Sequence, residues 1–350
     1  MDKPKISIVH NEIIAPMGEN FEQFYKHFFS NENHCETQHR NLEFFQQKYQ
    51  QVVRSIEKFD NKTIPSRLRR RMSFLTQMIV LCASRCLQNV TYDSKNLAII
   101  LATGWGELET TEKLLLSIVE NNEGPVFLSP TQFHNSVHNT AAGYLGIALK
   151  VQGPTLTISQ ENQSLETALE AATLLISSGQ TALALVGGGD TYFRFSVLDT
   201  QNNRYPKIFS CGVSCFLLKE NHETGPYIQT LKTCGSIRSE QQASLYFKEI
   251  ATVMGGDVDI LWLSALPSSD ASLAKSEFNY DISITGHEEN PSYPTSSGEV
   301  FTSILAILQR GELPRHIDDH VVKGQVNKEI RKVLYVKVSN GVYKSFMIWT

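Results

Sequence analysis

Residues 153–190, which read GPTLTISQENQSLETALEAATLLISSGQTALALVGGGD, decide the fold. The apolar residues after the GP pair predict a short strand, and the polar tip 160–163 predicts a turn. A helix that ends at Gly179 should follow, because apolar residues recur at helical spacing. They are Leu165, Ala168, Leu169, Ala172, Leu175 and Ile176. Many enzymes hold a nucleophile in such a strand, turn and helix, but this tip contains only Gln, Glu and Asn side chains.

Short apolar runs recur along the rest of the chain. They are KISIV, NLAIILATG, TLTIS, TALALVGGGD, VSCFLLK, DILWLSA, KVLYVKV and SFMIWT. Runs that are apolar throughout indicate strands covered on both faces, and therefore a layered α/β fold. The polar stretch KENHETGPY predicts a boundary between two α/β halves, 1–227 and 228–350. The Asn340-Gly341 pair predicts a hairpin between the last two strands.

Composition excludes several classes of function. A net charge of -4 gives no reason to expect nucleic acid or a membrane as partner. The N-terminal MDKPKISIVHNEI has no apolar signal core, which predicts a cytoplasmic protein. The six cysteines lack the paired spacing of a zinc site, and His134 and His138 lack the acidic neighbour of a zinc-binding helix. We expect neither a metal nor a cofactor.

The run 153–190 resembles the nucleophile segment of β-ketoacyl synthases. In that family a GP turn, a strand, a cysteine, a helix ending in Gly and a strand ending in GG plus an acid follow one another. Similarity extends to ISIVHNEIIAPMGENFEQFYKHFF, RRRMSFLTQMIVLCASRCL, LATGWGELE and VFTSILAILQRGELP. The resemblance implies a thiolase-like fold with two pseudo-related α/β halves in five layers (αβαβα), acting as a dimer.

The same resemblance places the catalytic positions of the family on unsuitable residues. The cysteine position falls on Asn162, the first histidine on Leu266, the lysine on Gly286 and the second histidine on Pro291. An amide nitrogen is not a nucleophile, so acyl transfer through Asn162 is excluded. A local insertion could instead bring His287 to the second histidine position.

This pattern is similar to the chain-length factors of type II polyketide synthases, which are non-catalytic partners of a ketosynthase. The resemblance implies a heterodimer with a cysteine-bearing ketosynthase α subunit, an acyl carrier protein as second partner, and one wall of a polyketide tunnel. Two alternatives remain open. The Asn162 amide could promote decarboxylation of a malonyl carrier protein, or it could simply cap the following helix.

Two further groups of residues are candidates for contacts. By the resemblance, the turn after LAIILATG lines the tunnel, and its candidates are Trp105, Gly106, Glu109 and Lys113. Trp105 could equally be a rigid aromatic residue of the core. The spacing of Glu109 and Lys113 also suits a surface ion pair. The basic run contains Arg67, Arg69, Arg70 and Arg71. It could attract an acidic carrier protein or touch the partner subunit, or it could be a solvated helix face.

Overall fold

A computed structural model describes residues 5–30, 37–44, 47–54, 56, 58–120, 129–193, 208–220, 225–285, 293–318 and 329–350. The strands within these ranges are β1 (Ile6–Ile14), β2 (Gln38–Phe44), β3 (Gln47–Arg54), β4 (Leu97–Ala102), β5 (Thr155–Ile158), β6 (Leu183–Asp190), β7 (Ile208–Ser210), β8 (Gly212–Glu220), β9 (Tyr227–Cys234), β10 (Val258–Ser264), β11 (Tyr280–Thr285), β12 (Lys332–Ser339) and β13 (Val342–Trp349).

The helices within the same ranges are α1 (Phe21–Phe28), α2 (Ser66–Arg69), α3 (Phe74–Cys86), α4 (Leu108–Glu120), α5 (Pro130–Asn135), α6 (Thr140–Leu149), α7 (Ser164–Ser177), α8 (Glu240–Met254), α9 (Ser268–Glu277), α10 (Ser297–Arg310) and α11 (Arg315–Asp318). None of these described helices is both long and apolar enough to cross a membrane.

The main sheet has the strand order β11-β10-β12-β13-β9-β1-β8-β6-β4-β5. One arrangement occurs in it twice, as β5-β4-β6-β8-β1 and as β11-β10-β12-β13-β9. In each copy the first three strands are parallel, and the last two pairings are antiparallel. The copies meet where Ile6 and Ser7 of β1 pair with the start of β9. The predicted pair of related α/β halves is therefore present.

The side chains of each strand point alternately to its two faces, and this alternation produces the layers. In β4, Ala98, Ile100 and Ala102 join a central cluster with α7 and α10, to which both halves of the sheet contribute. Leu97, Ile99 and Leu101 face the other way, towards α3 and α6. A third cluster packs α8 and α9 against the second half of the sheet. Successive residues of a strand point to opposite faces, and helices cover both faces of β4. Every residue of β4 is therefore buried.

These layers confirm the predicted fold class, a five-layered α/β architecture. The predicted hairpin is also present, since β12 and β13 pair around Asn340 and Gly341, both with positive φ. The division into 1–227 and 228–350 stays a prediction, although β9 begins at Tyr227. A separate small sheet, β2-β3-β7, lies outside the repeat.

Candidate functional site

The turn after β5 has the sharp geometry that the sequence predicts. A single 3-10 turn, Glu161–Gln163, leads directly into α7, and Glu161 has φ 45°. The Ser164 hydroxyl lies 2.7 Å from the Glu161 carbonyl and 3.0 Å from the Thr103 carbonyl, which share its single proton, and it accepts from the Gln160 amide (2.8 Å). Ser164 thus fixes the turn from inside it.

The expectation that Asn162 caps the helix is wrong. Neither the 3-10 turn nor α7 has a side-chain cap hydrogen bond, and the left-handed residue is Glu161. The nearby backbone groups form their hydrogen bonds with the Ser164 hydroxyl instead of the Asn162 side chain. Asn162 is half-buried, and its carbonyl oxygen accepts from the Lys337 ammonium.

Lys337 belongs to a buried polar cluster that connects the two halves behind the turn. Its Nζ lies 3.2 Å from Glu166 Oε1 and 3.3 Å from Ser297 Oγ. The Tyr335 hydroxyl donates to the same carboxylate oxygen at 2.7 Å, while Glu166 Oε2 has no hydrogen-bond partner among the described residues. Burial and the neighbouring Glu166 charge raise the pKa of Tyr335 well above its ordinary value. The Lys337 ammonium therefore lies next to a turn that has no nucleophile.

The sequence analysis missed Lys337, although it left a signal. It interrupts the otherwise apolar strand KVLYVKV, and its side chain is only 6% exposed. A charge in a strand covered on both faces requires a buried partner. Of the other positions where the resemblance places a catalytic residue, Leu266 lies before α9. It packs against the cluster formed by α8, α9 and the second half of the sheet. Gly286, His287 and Pro291 lie outside the described residues.

The turn after β4 is held by a buried carboxylate. Asp190 Oδ1 accepts from the Thr103 hydroxyl (2.7 Å) and from three successive backbone amides, 104–106 (2.9, 2.8 and 3.3 Å). Its Oδ2 accepts from the amide (3.0 Å) and hydroxyl (2.7 Å) of Thr295. Desolvation raises the pKa of Asp190, and these donors oppose that rise. The backbone of Trp105 is therefore fixed.

The Trp105 ring completes a small aromatic cluster. It is 6% exposed and meets Phe193 edge to face, with ring centroids 5.8 Å apart. Phe209, Val53 and Tyr293 complete the cluster. Gly106 has φ 56°, and a Cβ there would lie 2.4 Å from the His138 ring, so only glycine fits.

A cavity of about 350 Å³ opens beside this cluster, between α4, β2 and the segment after β6. Glu109 and Lys113 line it together with Phe193 and Cys211. These two charged side chains form the expected ion pair (2.5 Å), with Lys113 61% exposed. Trp105 adjoins the cavity through Phe193. The structure thus brings Trp105, Glu109 and Lys113 to one region, whereas Asn162 is not among the lining residues.

Comparison with known proteins agrees with this geometry. Residues 43–209 match the family described as "Beta-ketoacyl synthase, N-terminal domain". This match covers slightly under half of the chain. No curated protein sequence matches the chain.

Solved structures extend the likeness to the full length of the chain. The ishigamide ketosynthase/chain length factor has a TM-score of 0.75 at 14% identity and 99% coverage of both chains. The ketosynthase ApeO in complex with its chain length factor ApeC, from Xenorhabdus doucetiae, has a TM-score of 0.79 at 13% identity, covering 99% of this chain and 98% of that one. AntDE:AntF, a type II acyl-carrier protein in complex with its ketosynthase bound to the hexaketide, has 0.72 at 11%, with 99% coverage of both. At such identities these likenesses establish the fold.

Three of the described cysteines, Cys82, Cys86 and Cys211, are buried and offer no replacement nucleophile. Burial raises the pKa of Cys211, which lines the cavity, to about 12. Burial also raises the pKa of Cys82 and of Cys86 well above the ordinary value. A thiol must ionise to attack, so these groups are inert.

The histidine pair does not form a helical metal site. His134 belongs to α5, whereas His138 follows the end of that helix, and both are exposed. Among the described residues, no group of three or more His, Cys, Asp or Glu side chains could hold a metal ion.

The four arginines of the basic run differ in their surroundings. Arg67, Arg70 and Arg71 are exposed, at α2 and in the turn after it. Arg69 is half-buried and donates to the carbonyl (3.3 Å) and side chain (3.1 Å) of Asn61. Three of the four arginines are therefore exposed to solvent, and the fourth fixes the local chain.

Proposed function

We propose that this chain is a non-catalytic chain-length factor, which pairs with a cysteine-bearing ketosynthase in type II polyketide biosynthesis. The observation that carries the proposal is the turn at Asn162. It keeps the strand, sharp turn and helix of a nucleophile site, but it presents an amide where chemistry needs a thiolate. A chain that keeps this strand, turn and helix without a nucleophile is suited to shaping the active site of a partner subunit.

The free edge of the sheet supports a protein partner. The last described strand in the order is β5, and its Leu156 is 42% exposed. Helices α6 and α7, which contact β5, expose Ile147 (64%) and Leu174 (68%). An edge strand with unpaired backbone groups and flanking apolar side chains is suited to pairing with another chain. In the proposed complex this edge meets the ketosynthase.

The cavity beside Trp105 supports the chain-length role. Interiors are close-packed, so a bulky ring at the end of a tunnel stops a growing chain. In the proposal, Trp105 forms this stop, Gly106 gives its turn room against His138, and Glu109 and Lys113 lie at the cavity. The exposed Arg67, Arg70 and Arg71 would attract an acidic carrier protein, and Arg69 would hold their segment in place.

Coexpression with the ketosynthase encoded beside it tests the pairing. We expect a stable heterodimer on size-exclusion chromatography, and Leu156→Asp should disrupt it. Leu245→Asp on α8, at a residue that is 58% exposed, is the matched control and should leave the complex intact. A stable homodimer that ignores the ketosynthase would contradict the proposal. In the assembled complex, Trp105→Ala should lengthen or broaden the products.

The side chain of Asn162 favours one alternative, a malonyl carrier protein decarboxylase. The residue is half-buried and its amide makes no side-chain hydrogen bond within the described chain, so the amide could polarise a thioester carbonyl. The test is conversion of malonyl carrier protein to acetyl carrier protein. Equal rates for wild type and Asn162→Ala would exclude this mechanism.

A further inference from the structure

The tip of the β12–β13 hairpin is formed by a pair of residues that can react with each other. Asn340-Gly341 is the one Asn-Gly pair in the 350-residue sequence. Asn340 is exposed, and the two residues form the whole turn, since Ser339 and Val342 on either side pair with each other. Glycine has no side chain to shield its backbone nitrogen, so this nitrogen can reach the Asn340 carboxamide when the turn opens.

The reaction of such a pair needs only water. The Gly341 backbone nitrogen attacks Cγ of Asn340, so that a new N–Cγ bond forms, the Cγ–Nδ2 bond breaks, and the amide proton leaves with ammonia. One water molecule then opens the resulting succinimide ring at either of its two carbonyl carbons. Opening at Cγ gives aspartate. Opening at the main-chain carbonyl gives isoaspartate, in which the side-chain carbons have become part of the backbone.

The side chain of Asn340 also joins the two halves of the molecule. Its Nδ2 donates to Glu161 Oε2 at 2.9 Å, across the contact between the hairpin and the turn after β5. Both residues are exposed, and both have positive φ, 45° for Glu161 and 50° for Asn340. Aspartate at position 340 would replace the donor with a carboxylate that faces another carboxylate. The attraction between hairpin and turn would thus become repulsion.

Two neighbouring contacts depend on the length of the backbone at the hairpin tip. The Val342 carbonyl accepts from Gln163 Nε2 at 2.8 Å, and the Gly341 carbonyl accepts from the Ile237 amide at 3.0 Å. Isoaspartate adds one methylene group to the backbone at position 340. Because a two-residue turn fixes the register of its strands, the added length would displace both carbonyls from their donors.

We propose that Asn340 is a site of slow covalent modification, and that its conversion to aspartate or isoaspartate releases the hairpin from the turn 161–163. The reaction is spontaneous and irreversible. The bond to Glu161 retards it, because the nitrogen that must leave is held by a hydrogen bond. The contact between the two halves at this turn therefore weakens with the age of the chain.

Incubation of the folded full chain in warm, mildly alkaline buffer tests the modification, with peptide mass spectrometry and an isoaspartyl methyltransferase as readouts. We expect amide loss and isoaspartate at Asn340. Asn96 is a matched internal control, because it is also exposed and its Nδ2 also donates to a carboxylate, that of Asp93 (2.9 Å), but Leu97 follows it. Glu161→Ala should speed amide loss at Asn340 about fivefold, the contribution of one hydrogen bond.

The effect on the turn is measured with Asn340→Asp, which mimics one product. Hydrogen exchange at the Ile237 amide and in peptides covering 160–163 should become about fivefold faster than in wild type. Adding Glu161→Gln removes the facing charge and should restore most of the slow exchange. Asn96→Asp is the control and should leave both regions unchanged, and circular dichroism should confirm that each variant is folded.

Equal amide loss at Asn340 and Asn96 would overturn the assignment of the site. Unchanged loss in Glu161→Ala would overturn the protective role of Glu161, and unchanged exchange in Asn340→Asp would overturn the release of the hairpin. These measurements use the chain alone, so their outcomes are independent of pairing with a ketosynthase.

Discussion

The turns that follow the neighbouring strands β4 and β5 are both fixed by a buried charge, but the two charges have opposite signs and different origins. Asp190, which holds the turn after β4, ends β6 in the same half of the sheet. Lys337, which holds the turn after β5, lies on β12 in the other half. The turn beside the cavity is therefore bonded by a residue of its own half, which Thr295 of the other half also contacts, whereas the turn without a nucleophile is bonded directly by a residue of the other half.

Breaking the contact between the halves should have the largest effect. Lys337→Met leaves the fully buried Glu166 carboxylate without its cation, and removal of one partner of such a pair costs about 3–5 kcal/mol of unfolding free energy. Urea unfolding measures the loss. Lys248→Met on the exposed face of α8 is the control and should change stability by less than about 0.5 kcal/mol.

Removing both charges of the pair together should show whether the unpaired charge causes this loss of stability. The double variant Lys337→Met with Glu166→Leu removes both charges and should regain most of the lost stability. If the double variant is as unstable as the single one, the ion pair is not what connects the halves at this turn.

Breaking the contact within one half should have the next largest effect. Asp190→Asn replaces one acceptor oxygen with a donor group in front of several fixed donors, and we expect a loss of about 2–3 kcal/mol. The same urea series measures it, with the exposed Asp257→Asn as control. A loss no larger than that of the control would show that Asp190 does not fix the Trp105 turn.

The surroundings of the Trp105 cluster should also respond to pH. Tyr293 donates to Glu299 at 2.9 Å, and desolvation raises the pKa of Glu299 from 4.5 to about 7. The folded chain then holds this proton more tightly than the unfolded chain. The associated stability is complete below pH 4.5 and is lost as the pH rises through about 7.

Because Glu299 is partly exposed, we expect a decrease on the order of 2 kcal/mol in wild type between pH 4.5 and 8 from this group. Glu299→Gln cannot ionise and should lack this decrease. Urea midpoints across that range measure the difference between the two proteins. Parallel curves would show that Glu299 does not titrate there.

The smallest expected effect concerns thiol reactivity at the turn without a nucleophile. In Asn162→Cys the new thiol stands at the N-terminus of α7, with the Lys337 ammonium on its own carbonyl, and both favour the thiolate. Iodoacetamide should label it about tenfold faster at pH 7 than an ordinary exposed thiol, a difference of about one pKa unit. Adding Lys337→Met should slow the labelling, and wild type measures the background. Unchanged labelling would show that Lys337 acts only structurally.

Much of the fold could be predicted because its signals are local. The apolar runs gave the strands, the spacing of Leu165, Ala168 and Leu169 gave α7, and Asn340-Gly341 gave the last hairpin. The candidate site was harder to predict. The sequence indicated the turn at Asn162 and the region of Trp105, but it offered Asn162 as a helix cap that the structure does not contain, and it missed Lys337 and Asp190.

The sequence by itself determined the order of the elements, the layered architecture and the loss of a nucleophile at Asn162, because each depends on neighbouring residues or on the chemistry of one side chain. Only the tertiary structure decided which charges meet. Lys337 reaches Asn162 and Glu166 from more than a hundred positions away, and Thr295 meets Asp190 across a similar separation. Such contacts arise from strand order and packing, so no local pattern encodes the partners that fix these turns.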